Sequence, residues 1–333
     1  MFSDSSPTPP LASTLVNETL LIQVPVRLSV IEAPSFRTHF QELLQKEAAL
    51  KKVILDFSQT TLIDSSGIGA LLASLKMAQQ RNIKVVVWSL NSQVQFAFSL
   101  AGLEQLFELE PNTDPTPTTP NRQIAQRPLL THRSVKSPIK RAGDIVGSLV
   151  GLGITTILFV PIAIAIKLDS PGPILFRQVR CGLMGRRFWI WKFRSMVTNA
   201  ETLKHEVANQ VQGAFFKNDH DPRITRVGRF LRKTSLDELP QFWNVLKGDM
   251  SLIGTRPPTP EEISQYEVLN WQRLDVRPGL SGEWQVNGRS KVRKFEDVMR
   301  LDLHYQKNWS LMYDLKLILK TVAVLFTKDS GAV

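Results

Sequence analysis

The chain has 333 residues, 43% of them hydrophobic, with 41 Lys+Arg against 30 Asp+Glu and a formal net charge of +11. That length suffices for two buried cores, and its one cysteine, Cys181, excludes an intramolecular disulfide and any multi-cysteine zinc site. Residues 1–121 carry 8 Lys+Arg against 11 Asp+Glu, so the basic excess belongs to the remainder, where it suits phosphorylated ligands or an anionic membrane.

Residues 1–14 are rich in Ser, Thr and Pro and read as a disordered leader. They lack the basic and apolar regions of a secretory signal, so the N-terminal half is expected in the cytoplasm. From residue 15 to 110 apolar runs at Leu20–Val24, Val53–Phe57 and Lys84–Trp88 alternate with helical stretches. The helices are expected at Ser35–Lys46, Ser66–Gln80 and Ser92–Ala101, the last stopped by Gly102, which together make a mixed sheet with helices packed on it. The stretch VILDFSQTTLIDSSGIGALLASLKMAQQRNIKVVVW, with DSSGIG at its centre, resembles the STAS domain of anti-sigma-factor antagonists. In that family the serine after the aspartate is phosphorylated by a partner kinase, which the resemblance carries to Ser65. Two readings of Asp64-Ser65-Ser66 stand side by side: a phosphate acceptor at the positive end of a helix, or a helix cap.

Residues 111–138 hold six prolines among Thr, Asn and Arg, without apolar periodicity, and 111–137 read as a semi-rigid linker. The chain then turns strongly apolar. Residues 145–166 carry no charge and are long enough to cross a bilayer core. Pro161 interrupts the run and Gly147, Gly151 and Gly153 weaken its first half, so a helix break at Pro161 is expected. Lys140 and Arg141 before the run and Lys167, Arg177 and Arg180 after it disfavour exporting either flank. The expectation is a re-entrant hairpin rather than a spanning helix, with both domains on the cytoplasmic face of the inner membrane.

Gly182 and Gly185 place a turn inside RQVRCGLMGRRFWIWKFRSM, which reads as a β-hairpin, its aromatics and Arg186, Arg187, Lys192 and Arg194 suiting a headgroup interface. Residues 196–216 read as helical. Next comes DPRITRVGRFLRKTSLDELPQ, in which Asp237 and Glu238 lie between basic clusters. Carboxylates among cations suit phosphate chemistry with a metal, while Thr234 or Ser235 capping a helix whose first turn holds both acids is the structural alternative. This stretch, the hairpin, NVLKGDMSLIGTRP and RPGLSGEWQVNGRS follow one another as they do in the bacterial sugar transferases, monotopic polyprenyl-phosphate phosphoglycosyl transferases. The resemblance covers residues 138–328 and implies transfer of a phospho-sugar from a UDP-sugar to a polyprenyl (undecaprenyl) phosphate, with release of UMP, to begin a glycan. It makes Asp237 the nucleophile, with Glu238 helping to position a metal. Hard oxygen ligands and a diphosphate favour Mg²⁺.

Arg223, Arg232, Lys233, Arg256, Arg277 and Arg289 are the candidate phosphate and nucleotide ligands. The family usually has Pro-Arg-Pro where this chain has Thr255-Arg256-Pro257, which puts the backbone before Arg256 in question. Leu315, Ile318, Leu319, Val322 and Leu325 give the C-terminus an amphipathic helix for the interface or for its own domain. The fold class is thus α/β: a STAS-like mixed sheet with helices, then a membrane-associated α/β catalytic domain with a re-entrant helix. The expected partners are the UDP-sugar, the polyprenyl phosphate, the membrane, and a kinase or anti-sigma-like partner of the STAS module. A homodimer is among the assemblies it allows. An inactive, membrane-anchored STAS switch is the competing reading, and nucleic acid is excluded for want of a recognition motif.

Overall fold

The computed structural model describes residues 11–47, 49–110, 132–210, 218, 220–287 and 294–326. Two compact units emerge: Met1–Thr131 with Met184–Arg186 and Tyr266–Asp275, and His132–Leu183 with Arg187–Gln265 and Val276–Val333.

In the first unit, β1 (Ser13–Val16), β2 (Thr19–Gln23), β4 (Lys52–Asp56), β6 (Lys84–Trp88) and β7 (Glu108–Glu110) form one sheet in that order. The β1–β2 pair is antiparallel and the remaining pairs are parallel. Continuous burial of Val53–Leu55 and Val85–Val87 follows, because a parallel sheet is covered on both faces. Helices α1 (Ala33–Lys46), α2 (Ser65–Gln79) and α3 (Ser92–Ala101) complete the layers, beside a short parallel pair of β3 (Arg27–Leu28) and β5 (Leu62–Ile63). Helix α1 begins two residues before its expected start, since Pro34 in the first turn is preset for helix. The Asp64 carboxylate caps α2, accepting from Gly67 N at 2.9 Å and Val30 N at 2.8 Å. A boundary at residues 111–137 did not anticipate that Tyr266–Asp275 belongs to this unit. That segment, wound as a 3-10 helix over Val268–Asp275, is anchored by buried Val268, Trp271, Arg273 and Leu274.

Of the expected linker, residues 111–131 lie outside the described residues. Its end is not linker at all: α4 (Arg133–Lys136) follows His132, whose Nε2 lies 2.9 Å from the Gln306 carbonyl. Helix α5 (Pro138–Asp169) then runs for 32 residues, about 48 Å at the usual rise against a hydrocarbon core of about 30 Å. The expected interruption at Pro161 is corrected, because the helix continues through it. Proline's fixed φ is already helical, and only one backbone hydrogen bond is forfeited. A single long apolar helix of this kind is compatible with a re-entrant membrane segment.

One stripe of α5, Asp144, Ser148, Gly151, Thr155, Ile162 and Ile166, is buried at heptad-like spacing, while Val146, Leu149, Val150, Ile157, Val160 and Leu168 are exposed. The glycines are packing devices rather than weak points. A Cβ on Gly151 would stand 2.4 Å from Phe242 Cγ, so only glycine lets α7 (Phe242–Lys247) approach so closely. Asp144 Oδ1 accepts from Ser251 Oγ and Leu252 N, both at 2.9 Å, tying α5 to β10 (Ser251–Ile253). Near its start Lys140 reaches Asp314 of α11 (Leu311–Phe326) at 2.6 Å.

The expected hairpin is present as antiparallel β8 (Leu175–Cys181) and β9 (Arg187–Phe193). Arg194 beyond it is not an interface residue. It is buried, and its guanidinium donates to the Pro171 and Ser170 carbonyls at 2.6 Å, fastening the exit of α5. Instead of a helix over 196–216, the described residues contain a 3-10 turn at Thr202–Glu206, with 211–217 outside the description. Helix α6 (Arg226–Lys233), α8 (Pro260–Ser264), β11 (Gly279–Ser281), α9 (Glu283–Asn287) and α10 (Phe295–Lys307) complete the unit, β11 pairing parallel with β10. On α11, Leu317 is buried while Met312, Leu315, Leu319 and Val322 are exposed, leaving an apolar face outward.

Candidate active site

An apolar cluster mounts the acidic pair. Ile162 and Ile166 of α5, Phe193 of β9 and Leu231 of α6 are buried together, and Leu236 and Leu239 pack against them. Between those two leucines lie Asp237 and Glu238, in a 3-10 helix over Leu236–Gln241. The α-helix with a side-chain cap is therefore corrected. Ser235 sits at the cap position with φ 56° and makes no side-chain capping bond, and Thr234 Oγ1 turns back to the Phe230 carbonyl at 2.9 Å. Pro240 cannot donate a backbone hydrogen bond, which suits the tighter winding.

Asp237 is 6% exposed. Glu238 Oε1 accepts from Lys192 Nζ at 2.8 Å, each side chain about a quarter exposed at 25% and 26%. Lys192 was not among the expected site residues. Its place on a strand with alternating faces was the available signal, but only the fold says which face turns toward Glu238.

Arg180 on β8 is the second addition. Its Nη1 donates to the Pro257 carbonyl at 3.0 Å and its Nη2 to Gln178 Oε1 at 2.8 Å, while Nε is buried without a partner. Burial first, and then the neighbouring Arg256 charge, push its pKa down to about 10 against the pull of Glu262, Glu238 and Glu261. Arg256 itself is forked on Glu262 at 2.7 and 3.0 Å and lies 5.8 Å from the Trp284 ring. Thr255, where the family usually has proline, joins a parallel bridge to Pro278, its carbonyl accepting from Gly279 N at 2.8 Å. Cys181, next to Arg180, is buried, and that burial raises its thiol to about 11, far from a reactive thiolate.

The remaining expected cations scatter. Arg223 is buried and forked onto Asp221, with contacts of 2.7–3.2 Å, and against the effect of burial it holds that carboxyl below the usual range. Arg232 and Lys233 occupy the last turn of α6, five and four residues before Asp237. Arg277 is partly buried and feels Arg141 and Asp144 rather than the acidic pair. Arg289 lies outside the described residues. Ser65 belongs to the first unit and is fully buried.

Among the described residues no three His, Cys, Asp or Glu side chains gather as a metal site. Adjacent carboxylates nevertheless fit Mg²⁺, an ion commonly held by one or two carboxylates together with substrate phosphates and water. The donor set is hard oxygen throughout.

Residues 135–328 match the profile of the bacterial sugar transferase family, and residues 12–116 that of the STAS domain. Among curated proteins the chain is 48% identical over 191 residues to "Galactosyl transferase CpsE" of Streptococcus agalactiae, covering 56% of this chain and 42% of that one. It is 43% identical over 199 residues to the "Undecaprenyl-phosphate galactose phosphotransferase" of Salmonella typhimurium, covering 58% and 41%. To the "UDP-glucose:undecaprenyl-phosphate glucose-1-phosphate transferase" of Escherichia coli it is 41% identical over 193 residues, covering 55% and 39%. The chain thus spans about two-fifths of the length of these relatives. Among solved structures, a putative anti-sigma factor antagonist from Thermotoga maritima aligns at 20% identity and a TM-score of 0.28, covering 31% of this chain and 86% of that one.

Proposed function

The chain belongs to the bacterial sugar transferase family, and on that premise we propose that it transfers a phospho-sugar from a UDP-sugar to a membrane polyprenyl phosphate, releasing UMP, to initiate an exopolysaccharide or cell-envelope glycan. The observation that carries this reading is the seat of Asp237 and Glu238: a buried aspartate next to a partly exposed glutamate paired with Lys192, on the apolar cluster into which α5 sends Ile162 and Ile166. A phosphate-handling pair at the foot of a membrane-length helix suits one water-soluble and one lipid substrate.

In the first step an Asp237 carboxylate oxygen attacks the β-phosphorus of the donor. The bond from that phosphorus to the oxygen bridging the two phosphates breaks, and UMP leaves with the electron pair. A carboxylate needs no deprotonation near neutral pH, unlike a serine. In the second step a polyprenyl phosphate oxygen attacks the same phosphorus, expels Asp237 and yields the polyprenyl diphospho-sugar. Lys192, Arg180 and Arg256 offset the charge of the phosphoryl oxygens, the electrostatic work that dominates phosphoryl transfer. Asp237 and Glu238 would hold Mg²⁺, which supplies further charge neutralisation at the diphosphate.

The test is UMP release by the purified protein with Mg²⁺ and undecaprenyl phosphate, scanned over UDP-glucose, UDP-galactose and N-acetylated UDP-sugars. UMP from one donor supports the reading and names the sugar; silence with all of them, in full-length protein and in residues 138–333 alike, contradicts it. The STAS module is proposed to be regulatory or docking, and both domains to lie on the cytoplasmic face. Tags placed at the two ends are then both expected to survive protease added to intact spheroplasts. Cleavage of one end alone would make α5 a spanning helix.

A further inference from the structure

The N-terminal face of α2 is occupied. Ser65 and Ser66 are fully buried, and Ser65 N donates to Asp275 Oδ1 at 2.9 Å. One turn along, Gly69 lies under the Trp271 indole, so closely that a Cβ there would stand 2.5 Å from the ring. Within the segment, fully buried Arg273 donates from Nη1 to Tyr266 Oη at 2.7 Å and lies 5.9 Å from that ring. The 3-10 turn thus carries its own brace. Asp64 closes the other side of the same helix end, with Glu32 near it. Burial and the Asp64 charge push the Asp275 carboxyl up to about 7, although hydrogen bonds from Ser65 oppose them.

We propose that Tyr266–Asp275 is an intramolecular ligand of the α2 face, and that a negative charge placed on Ser65 displaces it. The amides at this helix end are already shared between two carboxylates, Asp64 on Gly67 N and Asp275 on Ser65 N, so a further anion there competes with them. A charge on Ser65 would meet Asp64 and Asp275 together in a buried turn, where like charges are weakly screened. One source of such charge is a phosphoryl group moved by a kinase from a nucleoside triphosphate to Ser65 Oγ, the diphosphate leaving and the hydroxyl proton passing to the kinase's base. It would add about −1.5 to −2 charges. Since Ser65 is fully buried, the kinase acts only on the open form. The chain re-enters the second unit at Val276, directly before Arg277, so the displaced segment and a candidate anion ligand are neighbours in sequence.

Hydrogen–deuterium exchange on the detergent-purified full chain tests this. Ser65→Asp is expected to speed exchange of the Val268–Asp275 amides at least tenfold while β4 and β6 stay protected, and Ser65→Ala is expected to match wild type. Adding Asp275→Asn to Ser65→Asp should shrink the effect, since one repelling charge is gone. Segment protection unchanged by Ser65→Asp, with the sheet intact, overturns the proposal. If Ser65→Asp also loosens the sheet, Asp275→Lys decides, because it changes no residue of the sheet or of α2 and puts a cation on a helix N-terminus. Tenfold faster segment exchange then supports the seat, and unchanged exchange overturns it.

Discussion

Asp237→Asn is expected to lower UMP release at least about 10³-fold, because in the proposed mechanism it removes the nucleophile itself and not one of several stabilising contacts. The substitution conserves shape, so the 3-10 turn over Leu236–Gln241 keeps its packing through Leu236 and Leu239. An amide oxygen cannot form and later release an acyl phosphate as a carboxylate does. The exposed apolar residues of α5, a helix long and apolar enough to cross a membrane, lie outside this turn, so membrane association should match wild type. Purified variant and wild type are compared at saturating donor. Activity within tenfold of wild type would remove Asp237 from the nucleophile's role and leave Glu238 to be tested in its place.

The second large effect is on stability. Lys140 and Asp314 are only 8% and 10% exposed, and their 2.6 Å contact joins the start of α5 to α11. Around them Lys140 Nζ donates to the Ile253 carbonyl at 3.0 Å, Tyr305 Oη lies 2.8 Å from Asp314 Oδ1, and Trp309 Nε1 donates to Oδ2 at 3.0 Å. Burial and Asp314 hold the Tyr305 phenol far above its usual pKa. Lys140→Met strands the Asp314 carboxylate in this setting, and breaking such a pair costs about 3–5 kcal/mol. Lys140→Met/Asp314→Leu removes both charges and should recover most of that loss. Melting in detergent reads the comparison: a single variant as stable as wild type, or a double variant worse than the single, would show that the pair is not what holds α5 to α11.

Regular elements with strong patterns were legible in the sequence. Strand Lys84–Trp88 and helix Ser92–Ala101 fall where apolar runs and the Gly102 stop put them. Residue types drew attention to Asp237 and Glu238 but left a helix cap as an equal reading, and the family resemblance supplied the proposed role. Three features were not legible there, and each depends on tertiary placement. Gly147 and Gly151 look like helix weakness until Leu252 and Phe242 are seen to fill the space. Arg194 is chemically indistinguishable from the interfacial cations near it, yet it is buried against the end of α5. Val268–Asp275 has no compositional break at either end, and only its burial beside α2 assigns it to the first unit. Pairings such as Lys192 with Glu238 span 46 residues of sequence and follow from strand register and helix position together.

The most direct test follows the β-phosphorus. With a UDP-sugar labelled at the β-phosphate, the account predicts that label moves to the organic-extractable lipid in step with UMP formation. It also predicts that, without lipid acceptor, a substoichiometric amount stays on the protein in wild type and not in Asp237→Asn. Label retained in the nucleotide as UDP, with unlabelled sugar on the lipid, would mean transfer of the sugar alone and would contradict the account.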